Sequence, residues 1–137
     1  VTKELVINVV SLLNRSRYSM THHTVIGYNT LSELLSHPDP GTRAEQAEAM
    51  LLHLVDEHGN PTFDRPGAPP YNDLHLACLR LAAATQADPH AITDDQVRDT
   101  HRVLSRPRPR RHHRPRPRPV PRHRHPRLPQ RLRHRHA

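Results

Sequence analysis

The chain begins with a stretch that is apolar almost all round, residues 2–14, interrupted only by Asn8 and Ser11 among its leucines, valines and isoleucines. Its β-branched content also suits a buried strand, since periodicity alone does not separate the two. The length of the stretch favours a buried helix, which we expect to begin at a Thr2 N-cap and to end near Asn14.

Four further helices are predicted from apolar positions spaced three and four apart and from capping residues. They cover about residues 19–35, 42–58, 72–86 and 93–104, with loops at 37–41 and 60–70, where prolines cluster. Asp39 or Thr42 caps the helix over 42–58, Asn72 or Asp73 caps the next, and Thr93 opens a capping box. The pattern therefore predicts an all-α domain of about five helices over residues 1–104.

The composition changes abruptly beyond Leu104. Residues 1–104 hold 8 Lys+Arg and 13 Asp+Glu, a net charge of −5, whereas residues 105–137 hold 13 Arg and no acid. Arg, Pro and His make up 27 of those last 33 residues. Such a segment has almost no apolar surface to bury and repels itself, so residues 105–137 are predicted to be a disordered basic tail.

The basic tail limits the partners that the sequence predicts. Its arginines would bind phosphate backbones, but no aromatic residue interleaves them for base stacking, so nucleic-acid binding would be non-specific. Its six histidines lack a fixed spacing on any element, and Cys78 is the only cysteine. We therefore expect no metal site, no cofactor and no disulfide, with Cys78 as a thiol of the core.

Neither a membrane span nor a signal peptide is visible in the sequence. No apolar run approaches the roughly 20 residues that a transmembrane helix needs. The first residues lead into Leu5 without a cationic region or a small-residue cleavage site. These observations predict a cytoplasmic protein without a membrane partner.

The candidate chemistry lies around the start of the second predicted helix. Ser16 and Ser19 are three residues apart, His23 follows one turn later, and Glu4 lies twelve residues before Ser16. Ser16 and Ser19 also fit plain helix-capping roles. Likewise, His23 fits a hydrogen-bonded structural histidine, and Glu4 fits an ion pair with Lys3 or a nearby arginine.

In this stretch the sequence resembles the alkylhydroperoxidase D / carboxymuconolactone decarboxylase superfamily. Thiol-active members of that superfamily read Glu, eleven residues, Cys-x-x-Cys, three residues, His, and the same four positions are held here by Glu4, Ser16, Ser19 and His23. The flanks at residues 3–7 and 88–97 are similar too, and the likeness covers about residues 2–104. The resemblance implies an all-α fold, assembly as a homo-oligomer (trimer or hexamer), and activity as a peroxidase-type oxidoreductase or a lactone decarboxylase.

The serines change the chemistry that this resemblance implies. A cysteine pair reduces peroxide through a thiolate and then a disulfide, and serine forms neither, so Ser16 and Ser19 exclude a thiol peroxidase cycle. The decarboxylase branch needs no cysteine pair. There Glu4 and His23 would act as base and acid on a lactone acid, and Arg15 or Arg17 would hold its carboxylate.

Two other interpretations stay open at this stage. Ser19, His23 and Glu4 could form a hydrolytic triad, although no nucleophile-elbow sequence surrounds Ser19. Alternatively, the chain is a degenerate, non-catalytic paralogue of the peroxidases, or an anion binder that acts through its arginine-rich tail.

Overall fold

The structure, a computed structural model, describes residues 1–69, 71–107 and 127–133. These residues form six α-helices, one 3₁₀ helix at Pro89–Ala91, and a single isolated β-bridge between Val55 and Pro61. The α-helices are α1 (Thr2–Leu13), α2 (Arg17–Leu34), α3 (Pro40–Leu52), α4 (Asp73–Ala87), α5 (Asp94–Leu104) and α6 (Gln130–Arg133). The predicted all-α class is confirmed for this part of the chain.

α1 lies at the centre of the helix packing. It contacts α2 and α4 and touches α3, while α3 packs on α2 and α5 packs on α4. This placement explains why α1 is apolar almost all round. The side chains of the core are aliphatic with two aromatic exceptions, and the fully or nearly fully buried ones are Leu5, Val9, Tyr28, Leu31, Ala47, Met50, Leu51, Leu54, Val55, Phe63, Leu79 and Leu132.

Most helices begin where the capping residues predict. The Asp39 carboxylate accepts hydrogen bonds from the backbone N–H and the hydroxyl of Thr42, at 2.7 and 2.8 Å, and these bonds hold the pKa of Asp39 below its usual value. α4 has a capping box built on Asn72, and α5 has one built on Thr93. At α1, however, the N-cap is Val1 and not the expected Thr2.

The third helix ends at Leu52, six residues before the predicted end at residue 58. Leu54 and Val55 are apolar because they enter the core, although they lie outside a helix. The backbone N–H of Thr62 donates to the carbonyl of Leu54 at 3.0 Å, and the Asp56 carboxylate accepts from the N–H groups of His58 and Asn60. This turn therefore competes successfully with continued helix.

The C-terminal region departs in part from the predicted disordered tail. Residues 108–126 and 134–137 lie outside the described residues, so the expectation stays a prediction there. Residues 127–133, in contrast, contain α6, whose Leu132 is fully buried in the core, with Leu128 packed against the same cluster. Leu128 lies two residues before α6, so the segment leading into the helix contacts the core as well.

No helix in the described ranges is long and apolar enough to cross a lipid bilayer.

His75 makes folding sensitive to pH. Its side chain is buried at the start of α4, and its Nδ1 accepts the backbone N–H of Asn72 at 3.4 Å, which requires an unprotonated Nδ1. Burial lowers the pKa of His75 below 6.5. The unfolded chain therefore takes up this proton at a higher pH than the folded chain does, and stability should fall as pH drops through about 6.5.

We expect His75→Gln to remove this part of the pH dependence, because glutamine can accept the same N–H without titrating. Urea unfolding of both proteins at pH 7.5 and pH 5 measures it. The loss of unfolding free energy between the two pH values should be smaller in the variant, and equal losses would contradict the assignment.

Candidate functional site

A buried polar stripe runs along the face of α1 that packs on α2. Glu4, Asn8 and Ser11 follow one another at four- and three-residue spacing, which aligns them on one side of the helix. All three are buried, with 7%, 2% and 5% of their surface exposed. The stripe therefore interrupts the otherwise apolar α1 where it meets α2.

The matching face of α2 carries Ser16, Ser19, His23 and Gly27. The Oγ atoms of Ser11 and Ser19 lie 2.7 Å apart, within hydrogen-bond distance. The Asn8 amide nitrogen donates to the backbone carbonyls of Glu4 at 2.8 Å and of His23 at 3.1 Å. Asn8 and Ser11 of α1 thus contact His23 and Ser19 of α2 at one helix–helix interface, which we call the α1–α2 seam. Glu4 lies one turn before Asn8 on the same side of α1, and Ser16 is the N-cap of α2.

Gly27 allows the close approach of the two helices at the seam. A Cβ atom at this position would lie 2.5 Å from Nδ2 of Asn8. Because real Cβ atoms do not approach a neighbour so closely, the Asn8 side chain keeps its bridging position only with glycine opposite it.

One carboxylate oxygen of Glu4 is the unusual atom in the seam. Oε2 is buried and has no hydrogen-bond partner, whereas buried polar atoms nearly always have one. An unsatisfied carboxylate oxygen is costly to bury, so its presence needs an explanation beyond packing.

The two serine hydroxyls have structural partners. Ser16 is the N-cap of α2, and its Oγ accepts the backbone N–H of Ser19 at 3.4 Å. The Ser19 hydroxyl pairs with Ser11, and no hydrogen bond joins it to His23 among the described residues. The arrangement does not have the serine–histidine hydrogen bond of a hydrolytic triad.

The His23 ring is half-buried beside the exposed ring of His22. The two imidazoles meet edge to face with centroids 5.5 Å apart, and His22 in turn stacks on Tyr18 at 6.0 Å. No described residue forms a hydrogen bond with the His23 ring. Tyr18 is 82% exposed, so it stacks on the surface and does not pack in the core.

Arg15 and Arg17 lie together, but not at Glu4 and His23. Both line a cavity of about 580 Å³ at the junction of α1 and α2. Arg15 has a positive φ of 51° in the link between the helices, and its Nη2 donates to the carbonyl of His58 at 3.0 Å. The other lining residues are Leu12, Met20, Val55, Asp56, Glu57, Gly59 and Arg131.

A second, smaller cavity of about 310 Å³ lies between α4 and α5. Its floor is apolar, with Leu76, Leu81 and Val103 among its residues, and its charged rim includes Arg80. Arg80 is held by two hydrogen bonds from its guanidinium to the Asp64 carboxylate, at 3.0 and 2.6 Å. The charge of Arg80 is therefore neutralised by Asp64.

The Cys78 thiol and the possible metal ligands are the remaining candidate groups. Cys78 is half-buried, and burial raises the pKa of its thiol, which disfavours the reactive thiolate. The described part of the chain holds no group of three or more His, Cys, Asp or Glu side chains placed to bind a metal ion.

Sequence reasoning missed Asn8, Ser11, Gly27 and Arg131 as parts of these sites. Asn8 and Ser11 were visible as the polar interruptions of an apolar helix, and their spacing from Glu4 was the available signal. Arg131 had no local signal, because its position depends on the docking of α6.

Comparison of the chain with models of known protein families, with curated proteins and with solved structures finds no match.

Proposed function

We propose that the chain is a cysteine-free relative of the alkylhydroperoxidase D / carboxymuconolactone decarboxylase superfamily that performs acid–base chemistry on a small carboxylate-bearing lactone. The observation that carries the proposal is the buried Glu4 carboxylate with its unpartnered Oε2. It lies in the seam where a single Asn8 amide joins the backbone of Glu4 to that of His23.

Each residue of the proposed site has one role. Glu4 as the base takes the proton of a substrate carboxylic acid group, the C–C bond to that group breaks to release carbon dioxide, and His23 as the acid gives a proton to the carbon that keeps the electron pair. Arg17 orients the substrate carboxylate through its guanidinium. Ser16 and Ser19 hold the start of α2 and the seam, and they take no part in the reaction.

The spacing along α2 connects the arginine cavity with the seam. Arg17 and Met20 line the cavity, and His23 follows Met20 by three residues. Six residues of helix span about 9 Å, which is the length of a small lactone acid held at one end by its carboxylate. A substrate anchored by Arg17 therefore has the length to extend along α2 as far as His23.

We expect His23→Ala and Glu4→Gln each to reduce turnover of a carboxylate-bearing lactone by about a hundredfold or more, as removal of a general acid or base does. The matched control is His22→Ala, which removes the exposed neighbouring imidazole and should leave turnover nearly unchanged. The rate of decarboxylation is measured from the carbon dioxide released, and far-UV circular dichroism checks that each variant is folded. Equal losses in His22→Ala and His23→Ala would contradict the roles.

A second candidate, the degenerate peroxidase, is favoured by the hydroxyl bonds at Ser16 and Ser19. Serine at both positions fills the places of the redox cysteines with helix-capping and seam contacts. In this case the chain would not turn over the lactone at all.

The double variant Ser16→Cys, Ser19→Cys tests that candidate. We expect no dithiol-dependent peroxide reduction by the natural chain, because serine forms no disulfide, and measurable reduction by the double variant. Ser16→Cys alone is the matched control, because it has one thiol of the motif and no second thiol at position 19 to form the disulfide. Peroxide consumption with dithiothreitol measures the effect. No activity in a folded double variant would count against a preserved peroxidase site.

A further inference from the structure

Three guanidinium groups line the cavity at the α1–α2 junction, two from neighbouring positions and one from the far end of the chain. Arg15 comes from the link between the helices, Arg17 from the first turn of α2, and Arg131 from α6. Like charges gathered at one cavity repel each other, so an anionic ligand between them would be favoured.

The acids of the cavity do not neutralise these arginines. None of the ion pairs among the described residues includes Arg15, Arg17 or Arg131. Asp56 accepts backbone N–H groups of its own turn and pairs with Arg65 at 3.3 Å, and the bond from the N–H of Asn60 is the main cause of its lowered pKa.

Glu57, the other acid of the cavity, lies in the solvent. Its side chain is 86% exposed, and its carboxylate lies 3.5 Å from Nε2 of His58. At this exposure its attraction for a cation across the cavity is screened by water. The arginines therefore keep unused hydrogen-bond donors.

Arg131 is held in place by its neighbours in the chain. Leu132 is fully buried in the core. Nε of Arg133 donates to the carbonyl of Leu128 at 2.6 Å, and this bond spans the segment that contains Arg131. Such anchoring reduces the entropy lost when a ligand binds. Arg131 is therefore positioned at the cavity by a packed segment.

We infer that this cavity binds a small molecule through a carboxylate or phosphate group, with Arg131 as a third binding residue beside Arg15 and Arg17. The inference rests on the proposed function for the role of Arg17, and it adds the C-terminal segment to the substrate site. Guanidinium groups match both oxyanions through paired N–H donors. A volume of about 580 Å³ lies within the range of pockets for small ligands.

Isothermal titration of the full chain with succinate and with inorganic phosphate tests the inference. We expect at least one probe to bind, and Arg17→Ala and Arg131→Ala each to weaken that binding about tenfold. Arg131→Lys should weaken it less, because the charge is kept. Arg127→Ala is the control: it removes the same charge from the same segment, but Arg127 does not line the cavity.

The outcomes separate this inference from the proposed function. Equal weakening by Arg127→Ala and Arg131→Ala would show binding to the overall charge of the arginine-rich region and would overturn it. The inference would also be overturned if neither probe bound at millimolar concentration, or if a folded Arg131→Ala variant kept the affinity of the natural chain. Intact binding of succinate without any lactone turnover would instead reject the proposed function and keep the inference.

Discussion

Replacement of Leu132 by alanine is expected to lower the free energy of unfolding of the full chain by about 2–4 kcal/mol. Leu132 has no exposed surface and belongs to the same core cluster as Leu5 and Val9 of α1. The variant loses the burial of the leucine side chain and leaves a cavity that α6, only four residues long, cannot fill. Urea unfolding followed by far-UV circular dichroism measures the change.

Leu104→Ala is the matched control for this prediction. It makes the same chemical change at the end of α5, where the leucine is 50% exposed, so its effect should stay below about 1 kcal/mol. If Leu132→Ala were no more destabilising than Leu104→Ala, the docking of α6 onto the core would be rejected. Arg131 would then lose its place at the cavity as well.

The second large effect is expected at Gly27. An alanine there places a Cβ atom 2.5 Å from Nδ2 of Asn8, inside the close contact of α1 with α2. Either the helices move apart or the Asn8 amide leaves the carbonyls of Glu4 and His23. We expect a loss of about 1–3 kcal/mol in unfolding free energy, although alanine is the better helix former.

A double-mutant cycle with Asn8→Ala assigns this loss to the seam. Asn8→Ala alone removes the two bridging hydrogen bonds, but it also removes the atoms that the new Cβ would meet. The double variant Asn8→Ala, Gly27→Ala should therefore be more stable than the sum of the single losses predicts. Additive losses would mean that Gly27→Ala acts elsewhere than on Asn8.

The helix starts could be predicted from the sequence because a cap is a local interaction. Asp39, Asn72 and Thr93 each bond a backbone N–H three residues further on, and their neighbours in the sequence suffice to identify them. The end of α3 could not be predicted in this way. It depends on the burial of Leu54 by other elements, and the residue type alone does not distinguish an apolar position in a helix from one in a buried turn.

The candidate site was predictable only in part, for the same reason. The spacing of Glu4, Ser16, Ser19 and His23 indicated related positions. In the structure Glu4 lies on α1, Ser19 and His23 lie on α2, and Ser16 is the N-cap of α2. Contacts between two helices depend on the tertiary structure, so the sequence around Ser19 does not indicate that its hydroxyl pairs with that of Ser11. α6 is the extreme case, because a helix of four residues is stable only when other elements bury its leucine.

Arg15 combines a strained backbone conformation with a tertiary hydrogen bond and a place in the cavity lining. Its positive φ of 51° costs a residue with a side chain about 1 kcal/mol, which glycine would avoid. The guanidinium that this backbone carries bonds the carbonyl of His58 and lines the cavity. Glycine at this position would relieve the backbone strain, but it would also remove the bond to His58 and one of the three guanidinium groups that line the cavity. The strained backbone and the tertiary contact therefore belong to the same residue.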